Sequence, residues 1–185
     1  NGGPGAPAFI YVAPRHADRA HTVLNGWLGH AAAFDFEPDY RPAPGVARMR
    51  VGTPAILQMR VLDAALDIWE GVSMADLRAR SVALSERFIA QAEARCPDLS
   101  LASPRDPQMR GSQISFRFEH AYAAMQALIA RGVVGDFRAP DIMRFGIAPL
   151  YLGEAEIDAA VAHLEKVLTG REYLAPEYQR RNRVT

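Results

Sequence analysis

The order of apolar and polar positions divides the chain into a loop-rich first part and a second part of alternating helices and strands. The opening NGGPGAP holds three glycines and two prolines, which predicts a loop. The run AFIYV at 8–12 is short, apolar and rich in β-forming residues, as in a buried strand. From Arg15 to Gly52 no helical period is sustained. A long irregular segment of this kind usually has a function or forms an interface.

Two helices are predicted next. Thr53 is placed to cap a helix that begins with Pro54. Its apolar positions keep helical spacing as far as Trp69, and Gly71 is a natural terminator. A second amphipathic helix is predicted at 74–95, with Ser73 as its cap and Pro97 after its end.

After Pro97 the pattern alternates between strand and helix. Strands are predicted at 98–103, 112–118, 133–137 and 142–148, and helices at 120–132 and 154–168. This order indicates an α+β domain with a short antiparallel sheet and helices on one face. From 174 onward the periodicity is lost, which predicts a frayed tail.

The domain organisation follows from these elements. Residues 1–53 hold one predicted strand and a long loop, too little to form a core, and are interpreted as the incomplete end of a larger domain. Residues 54–72 are interpreted as a linking helix, 73–170 as a small carboxyl-terminal domain, and 171–185 as a tail.

Composition excludes several classes of function. The 185 residues are 49% hydrophobic and carry 21 basic and 21 acidic side chains with interspersed signs, so no nucleic-acid footprint is present. No apolar stretch approaches the roughly 20 residues of a membrane span, and a cytoplasmic location with no membrane partner is expected. Cys96 is the only cysteine, and the five histidines show no ligand spacing, so no metal site is predicted.

Three residues could carry chemistry or only support structure. Trp27 lies in GWLGH, where nearby glycines permit close approach of another backbone or of a ligand, although packing of the indole on a loop or subunit interface is the more ordinary explanation. Thr53 lies where a helix amino terminus could bind phosphate, or it only caps that helix. Arg144 falls inside an apolar strand and needs an anion. A carboxylate ligand, an internal salt bridge to Asp136 or Asp141, or one wet face of the strand would each account for it.

The motifs NGGPGAPAFIYV, GWLGH, FDFEPDYRPAPG, RVGTPAIL, GVVGDFR and MRFGIAPLY, in this order and spacing, resemble kynureninase. Kynureninases are hydrolases of fold type I that depend on pyridoxal 5'-phosphate (PLP). The resemblance covers the chain to about Val167. It implies the α/β fold of PLP-dependent transferases, with the end of the large domain followed by the small domain.

The resemblance also implies roles for individual residues. The lysine that forms the internal aldimine is expected upstream of Asn1, so no catalytic residue is expected within the chain; its single lysine, Lys166, lies in a predicted surface helix. Trp27 and Thr53 match ligands on the phosphate side of PLP that reach across a homodimer interface into a shared active site. Arg144 matches the clamp for the substrate's α-carboxylate, and Gly52 with Thr53 matches the pair beside the substrate's aromatic end.

The implied reaction is hydrolysis of L-kynurenine or 3-hydroxy-L-kynurenine to anthranilate or 3-hydroxyanthranilate and L-alanine, a step of tryptophan catabolism. The segment alone is predicted to be inactive. Two alternatives stay open: another lyase or aminotransferase of fold type I, and a non-catalytic ligand-sensing or dimerisation module of the same fold. A lysine three residues before Asn1 would favour the enzyme over the module.

Overall fold

The computed structural model describes residues 5–180, which fall into two compact units divided between Gly71 and Val72. In the first unit, helix α1 spans Pro14–Ala17 and α2 spans Ile56–Leu66, with 3-10 turns at Trp27–Gly29, Gly45–Met49 and Asp67–Trp69. In the second unit the elements are α3 (Met74–Arg95), β1 (Ser100–Leu101), β2 (Gln113–Arg117), α4 (Ala121–Ala130), β3 (Asp136–Arg138), β4 (Ile142–Gly146), α5 (Glu154–Thr169) and α6 (Pro176–Gln179).

The first unit is held together by polar contacts around one arginine. Arg48 is buried, and its Nε donates to the carbonyl of Ala43 at 3.0 Å. Its Nη1 donates to the carbonyl of Asp18 at 2.6 Å, and its Nη2 contacts the Asp18 carboxylate at 3.2 Å. The same carboxylate accepts the backbone N–H of Gly45 at 2.6 Å. Arg48 therefore joins segments that lie about 30 residues apart in sequence, where few apolar side chains are buried.

The second unit is built on an antiparallel sheet of order β1-β2-β4-β3. Ile114 and Phe116 of β2 and Met143 and Phe145 of β4 are buried on one face. Helices α3, α4 and α5 cover this face with buried side chains: Leu84, Phe88, Ile89, Ala124, Met125, Leu128, Val161 and Leu164. The predicted sheet with helices on one face is confirmed. The other face, which carries Arg144, is polar.

Most of the predicted elements of the second unit are observed. The Ser73 side chain accepts the N–H of Asp76 at the start of α3, as its position predicted. Strand β2 alternates buried and accessible positions, and Gly153 and Gly170 flank α5. Lys166 lies on α5 and is exposed, as expected.

Three predictions are wrong. Residues 8–12 form no strand, and Phe9 is 90% exposed, because no other strand of the described chain pairs with them. Thr53 does not cap α2: residues 53–55 have no helical structure, and Ala55 is the N-cap residue. The residues after 173 are not frayed as far as 180, since α6 forms there and Tyr178 packs against the core. Positions 1–4 and 181–185, including part of NGGPGAP and the end of the tail, lie outside the described residues.

Candidate functional site

The candidate residues of the first unit lie together around Trp27. The backbone turns at Trp27–Gly29, and the indole is 48% exposed. An ideal Cβ on Gly52 would lie 3.8 Å from Trp27 Nε1, so Gly52 is directly beside the indole nitrogen. Thr53 follows Gly52 and is exposed. The structure thus brings Trp27, Gly52 and Thr53 into one small region.

Two glycines position the indole. A Cβ on Gly26 would come within 1.8 Å of the carbonyl oxygen of Val51, and one on Gly29 within 2.6 Å of the carbonyl oxygen of Arg50. Only residues without a side chain permit this approach of the two backbone segments. The close backbone contact that GWLGH predicted is therefore observed, and it places Trp27 against Gly52.

The indole also borders a surface cavity of about 380 Å³. The cavity is lined by Trp27, His30, Ala32, Ala33, Phe36, Glu37, Pro38 and Tyr40. His30 Nδ1 accepts the N–H of Ala32 at 2.9 Å, while Nε2 lies 3.2 Å from the carbonyl oxygen of Asp39. This arrangement matches a neutral ring with its proton on Nε2. The hydrogen bond from Arg41 lowers the pKa of Glu37.

Donors for a phosphate group are available in this region. Within residues 5–180, neither Trp27 Nε1–H nor the Thr53 hydroxyl has a hydrogen-bond partner in the protein. Both groups are accessible, and both can donate to a phosphate oxygen. The chemistry of these two donors is compatible with a phosphate group. His30 lines the cavity beside Trp27. In the sequence His30 was considered only as a metal ligand, although its position in the GWLGH motif, three residues after Trp27, could have indicated this location.

Arg144 lies in the second unit, in the middle of β4. Its side chain is 26% exposed, and Nη2 donates to the Asp136 carboxylate. Of the two acids considered from sequence, Asp136 is therefore the partner, while Asp141 binds Arg117 at 2.9 Å. Arg144 Nε is buried and has no hydrogen-bond partner among the described residues. Nη1 has no hydrogen-bond partner among the described residues either and, unlike Nε, is not buried, so it can donate to a further anion.

A second cavity lies on the opposite face of the sheet. It has a volume of about 350 Å³ and is lined by side chains that include Phe88, Phe145, Ile157 and His163. Because Phe145 and Arg144 are neighbours in a strand, they project from opposite faces. In residues 5–180 no group of three His, Cys, Asp or Glu side chains is placed to bind a metal ion, and none of the helices has the length and apolar character to cross a membrane.

Comparison with known proteins shows which family the chain resembles. The chain is 51% identical over 170 residues to the kynureninase of Deinococcus radiodurans, an alignment that covers 91% of this chain and 42% of the relative. Residues 77–164 match the family model described as the kynureninase C-terminal domain. The chain belongs to the kynureninase family. The resemblance carried by the sequence motifs is confirmed.

In a second relative the chain also aligns with less than half of the protein's length. Kynureninase of Burkholderia mallei is 44% identical over 187 residues, covering 100% of this chain and 45% of the relative. The chain therefore spans less than half the length of these kynureninases.

Solved structures confirm the fold class. The apo cysteine desulfurase of Thermococcus onnurineus NA1 matches with a TM-score of 0.70 at 16% identity, over 86% of this chain and 42% of that chain. The cystine C-S lyase C-DES, in complex with cysteine persulfide, matches with a TM-score of 0.67 at 23% identity, over 87% of this chain and 43% of that chain. Both neighbours have the PLP-dependent fold type I. The sequence relatives therefore show the family of this chain, and the solved structures show its fold.

Proposed function

We propose that this chain is the carboxyl-terminal portion of a PLP-dependent hydrolase that cleaves L-kynurenine, or its 3-hydroxy form, to anthranilate or 3-hydroxyanthranilate and L-alanine. Family membership supports the reaction class. The observation that carries the proposal to this chain is Arg144, a partly buried guanidinium with spare donors on the polar face of the sheet. Tryptophan catabolism and a cytoplasmic location belong to the same proposal.

Arg144 would bind the α-carboxylate of the substrate. A guanidinium presents a planar fork that matches a carboxylate, and charge-assisted bonds of this kind fix orientation as well as affinity. Holding the carboxylate fixes the direction of the Cα–H bond relative to the catalytic groups, where an error of about 1 Å can cost on the order of a hundredfold in rate.

Trp27 and Thr53 would hold the phosphate of PLP. Their free donors and accessibility support this role, and the exposed apolar surface around them suits a site completed by a second subunit. We therefore propose a homodimer with a shared active site. When bound, PLP supplies an electron sink that stabilises the carbanion formed at Cα. The lysine that binds it is proposed to lie upstream of Asn1.

Gly52 would leave room for the aromatic end of the substrate. Because glycine has no Cβ, the space beside the Trp27 indole nitrogen stays open; an ideal Cβ on Gly52 would lie 3.8 Å from that nitrogen. A small residue here accommodates an aryl ring without steric conflict.

The proposal is tested with the full-length enzyme and its Arg144→Ala variant. We expect free anthranilate from kynurenine in the wild type, and a kcat/KM lower by at least about a hundredfold in the variant. Formation of a keto acid in place of alanine would favour an aminotransferase. Absence of turnover in a folded full-length protein that contains the upstream lysine would contradict the proposal.

A further inference from the structure

Asp136 and Arg144 occupy directly opposed positions on neighbouring strands. In the β3–β4 register Asp136 faces Arg144, and on the other side Ser115 of β2 faces the same arginine. Directly opposed side chains in an antiparallel pair project from the same face and lie within reach of each other. The Asp136 carboxylate accepts a hydrogen bond from Arg144 Nη2. The contact is thus built into the strand register.

The backbone on both sides of this pair is anchored in the core. Met143 is 0% exposed and Phe145 6%, so the two neighbours of Arg144 hold β4 against the helices. Phe137, next to Asp136, packs against the same core. Neither strand can slide by one residue without exposing these side chains. The Asp136 carboxylate is therefore held at a fixed place relative to the guanidinium.

The charges around Asp136 do not balance. Its Oδ2 also lies 3.6 Å from Nε of Arg138, so one carboxylate faces two guanidinium groups. Asp141 lies close by but pairs with Arg117. The group formed by Asp136, Arg138 and Arg144 keeps a net positive charge and favours a further anion. The Arg138 side chain is 65% exposed and that of Arg144 26% exposed, so Arg144 is the more enclosed of the two cations.

From this geometry we propose that Asp136 is a positioning residue, which holds the Arg144 guanidinium in the orientation that receives the substrate's carboxylate. This inference rests on the proposed function of Arg144. A long arginine side chain loses conformational freedom when it binds a ligand. The Asp136 carboxylate already restricts the guanidinium before the substrate binds, so less conformational freedom is lost on binding. The N–H groups that do not contact Asp136 stay available for the substrate.

The test compares Asp136→Ala and Asp136→Asn with Arg144→Ala in the full-length enzyme. We expect Asp136→Ala to raise KM for kynurenine by at least about tenfold with a smaller change in kcat, because the residue does not touch the reacting atoms. Asp136→Asn keeps an acceptor for Nη2 and should recover part of the loss. Neither Asp136 variant should lose more PLP on dialysis than the wild type. Asp141→Asn, which disturbs a neighbouring ion pair on the same sheet, is the matched control and should leave KM within about twofold.

A double mutant separates positioning from general stability. If Asp136 acts through Arg144, Asp136→Ala should change KM by less than about twofold in the Arg144→Ala background. An equal loss in both backgrounds, or an unchanged KM in the single variant, would overturn the inference. A lower KM would also overturn it, since Asp136 would then compete with the substrate for the guanidinium. If Arg144→Ala itself left the kinetics unchanged, the proposed function would fail at its first step, which is a different outcome from failure at Asp136 alone.

Discussion

The carbonyl oxygen of Val51 lies where a side chain on Gly26 would begin: an ideal Cβ there would be 1.8 Å from that oxygen. The two backbone segments can touch only because Gly26 has no Cβ. This contact places the segment that carries Gly52 beside Trp27, and so it organises the candidate phosphate region.

Gly26→Ala should therefore disrupt the first unit. Relieving the overlap requires a backbone shift, and we expect a loss of about 3 kcal/mol or more, at the upper end of overpacking costs. The measurement is thermal unfolding followed by circular dichroism, with PLP retention as a second readout in the full-length enzyme. Gly111→Ala is the control, since a Cβ there would meet nothing within 4 Å. Equal stability of Gly26→Ala and the wild type would contradict the importance of this contact.

Arg48 should control local opening of the first unit. Arg48→Ala removes its bonds to Asp18 and Ala43, and we expect the free energy of local opening to fall by about 1–3 kcal/mol. Hydrogen exchange of the Gly45 amide, which donates to Asp18 Oδ1, reports this change. The exposed Arg50 provides a matched control, and Arg50→Ala should leave exchange within about twofold. Unaltered exchange at Gly45 in Arg48→Ala would refute the prediction.

Local signals predicted the second unit well. Ser73 and Pro97 bracket α3, and the alternation of Ile114 and Phe116 with polar neighbours defines the buried face of β2. These features act within a few residues of the chain, which is the range that sequence patterns describe. The same patterns mispredicted 8–12, because an apolar run forms a strand only when another strand pairs with it.

The contacts that shape the candidate site depend on distant residues. The sequence offered both Asp136 and Asp141 as partners of Arg144, and only the strand register decides for Asp136. The role of Arg48 was not predicted, because its partner Asp18 lies 30 positions away in the sequence. Thr53 was predicted as a cap from Thr-Pro, a local signal, yet the helix begins only at Ile56, with Ala55 as its N-cap.

Cys96 should resist thiol reagents in the native protein. It is 2% exposed, and burial, with a smaller contribution from Glu165, raises the pKa of its thiol to about 11. At pH 8 the thiolate fraction would then be on the order of 0.1%. We expect labelling by a disulfide reagent only after denaturant unfolds the second unit. An added cysteine at the exposed position in Ala155→Cys should react at once and supplies the control. Rapid labelling of both thiols in native protein would contradict this prediction.

Acid should weaken the second unit through Asp158. This carboxylate accepts hydrogen bonds from Arg87 at 2.7 and 2.6 Å and from Gln91, and the bond from Arg87 is the main reason that its pKa falls from 3.8 to about 2. Because the folded-state pKa is lower than the unfolded one, the carboxylate stabilises the fold above about pH 4, and this contribution is lost as the pH falls from about 4 to about 2.

Asp158→Asn should therefore have a lower Tm than the wild type at neutral pH, and the difference should shrink toward pH 2. Thermal unfolding at several pH values between 2 and 7 gives this comparison directly. Glu119→Gln changes an exposed acid elsewhere on the same unit and should leave the pH dependence of Tm as in the wild type. A Tm difference between Asp158→Asn and wild type that stays constant down to pH 2 would show that the carboxylate charge does not link α3 to α5.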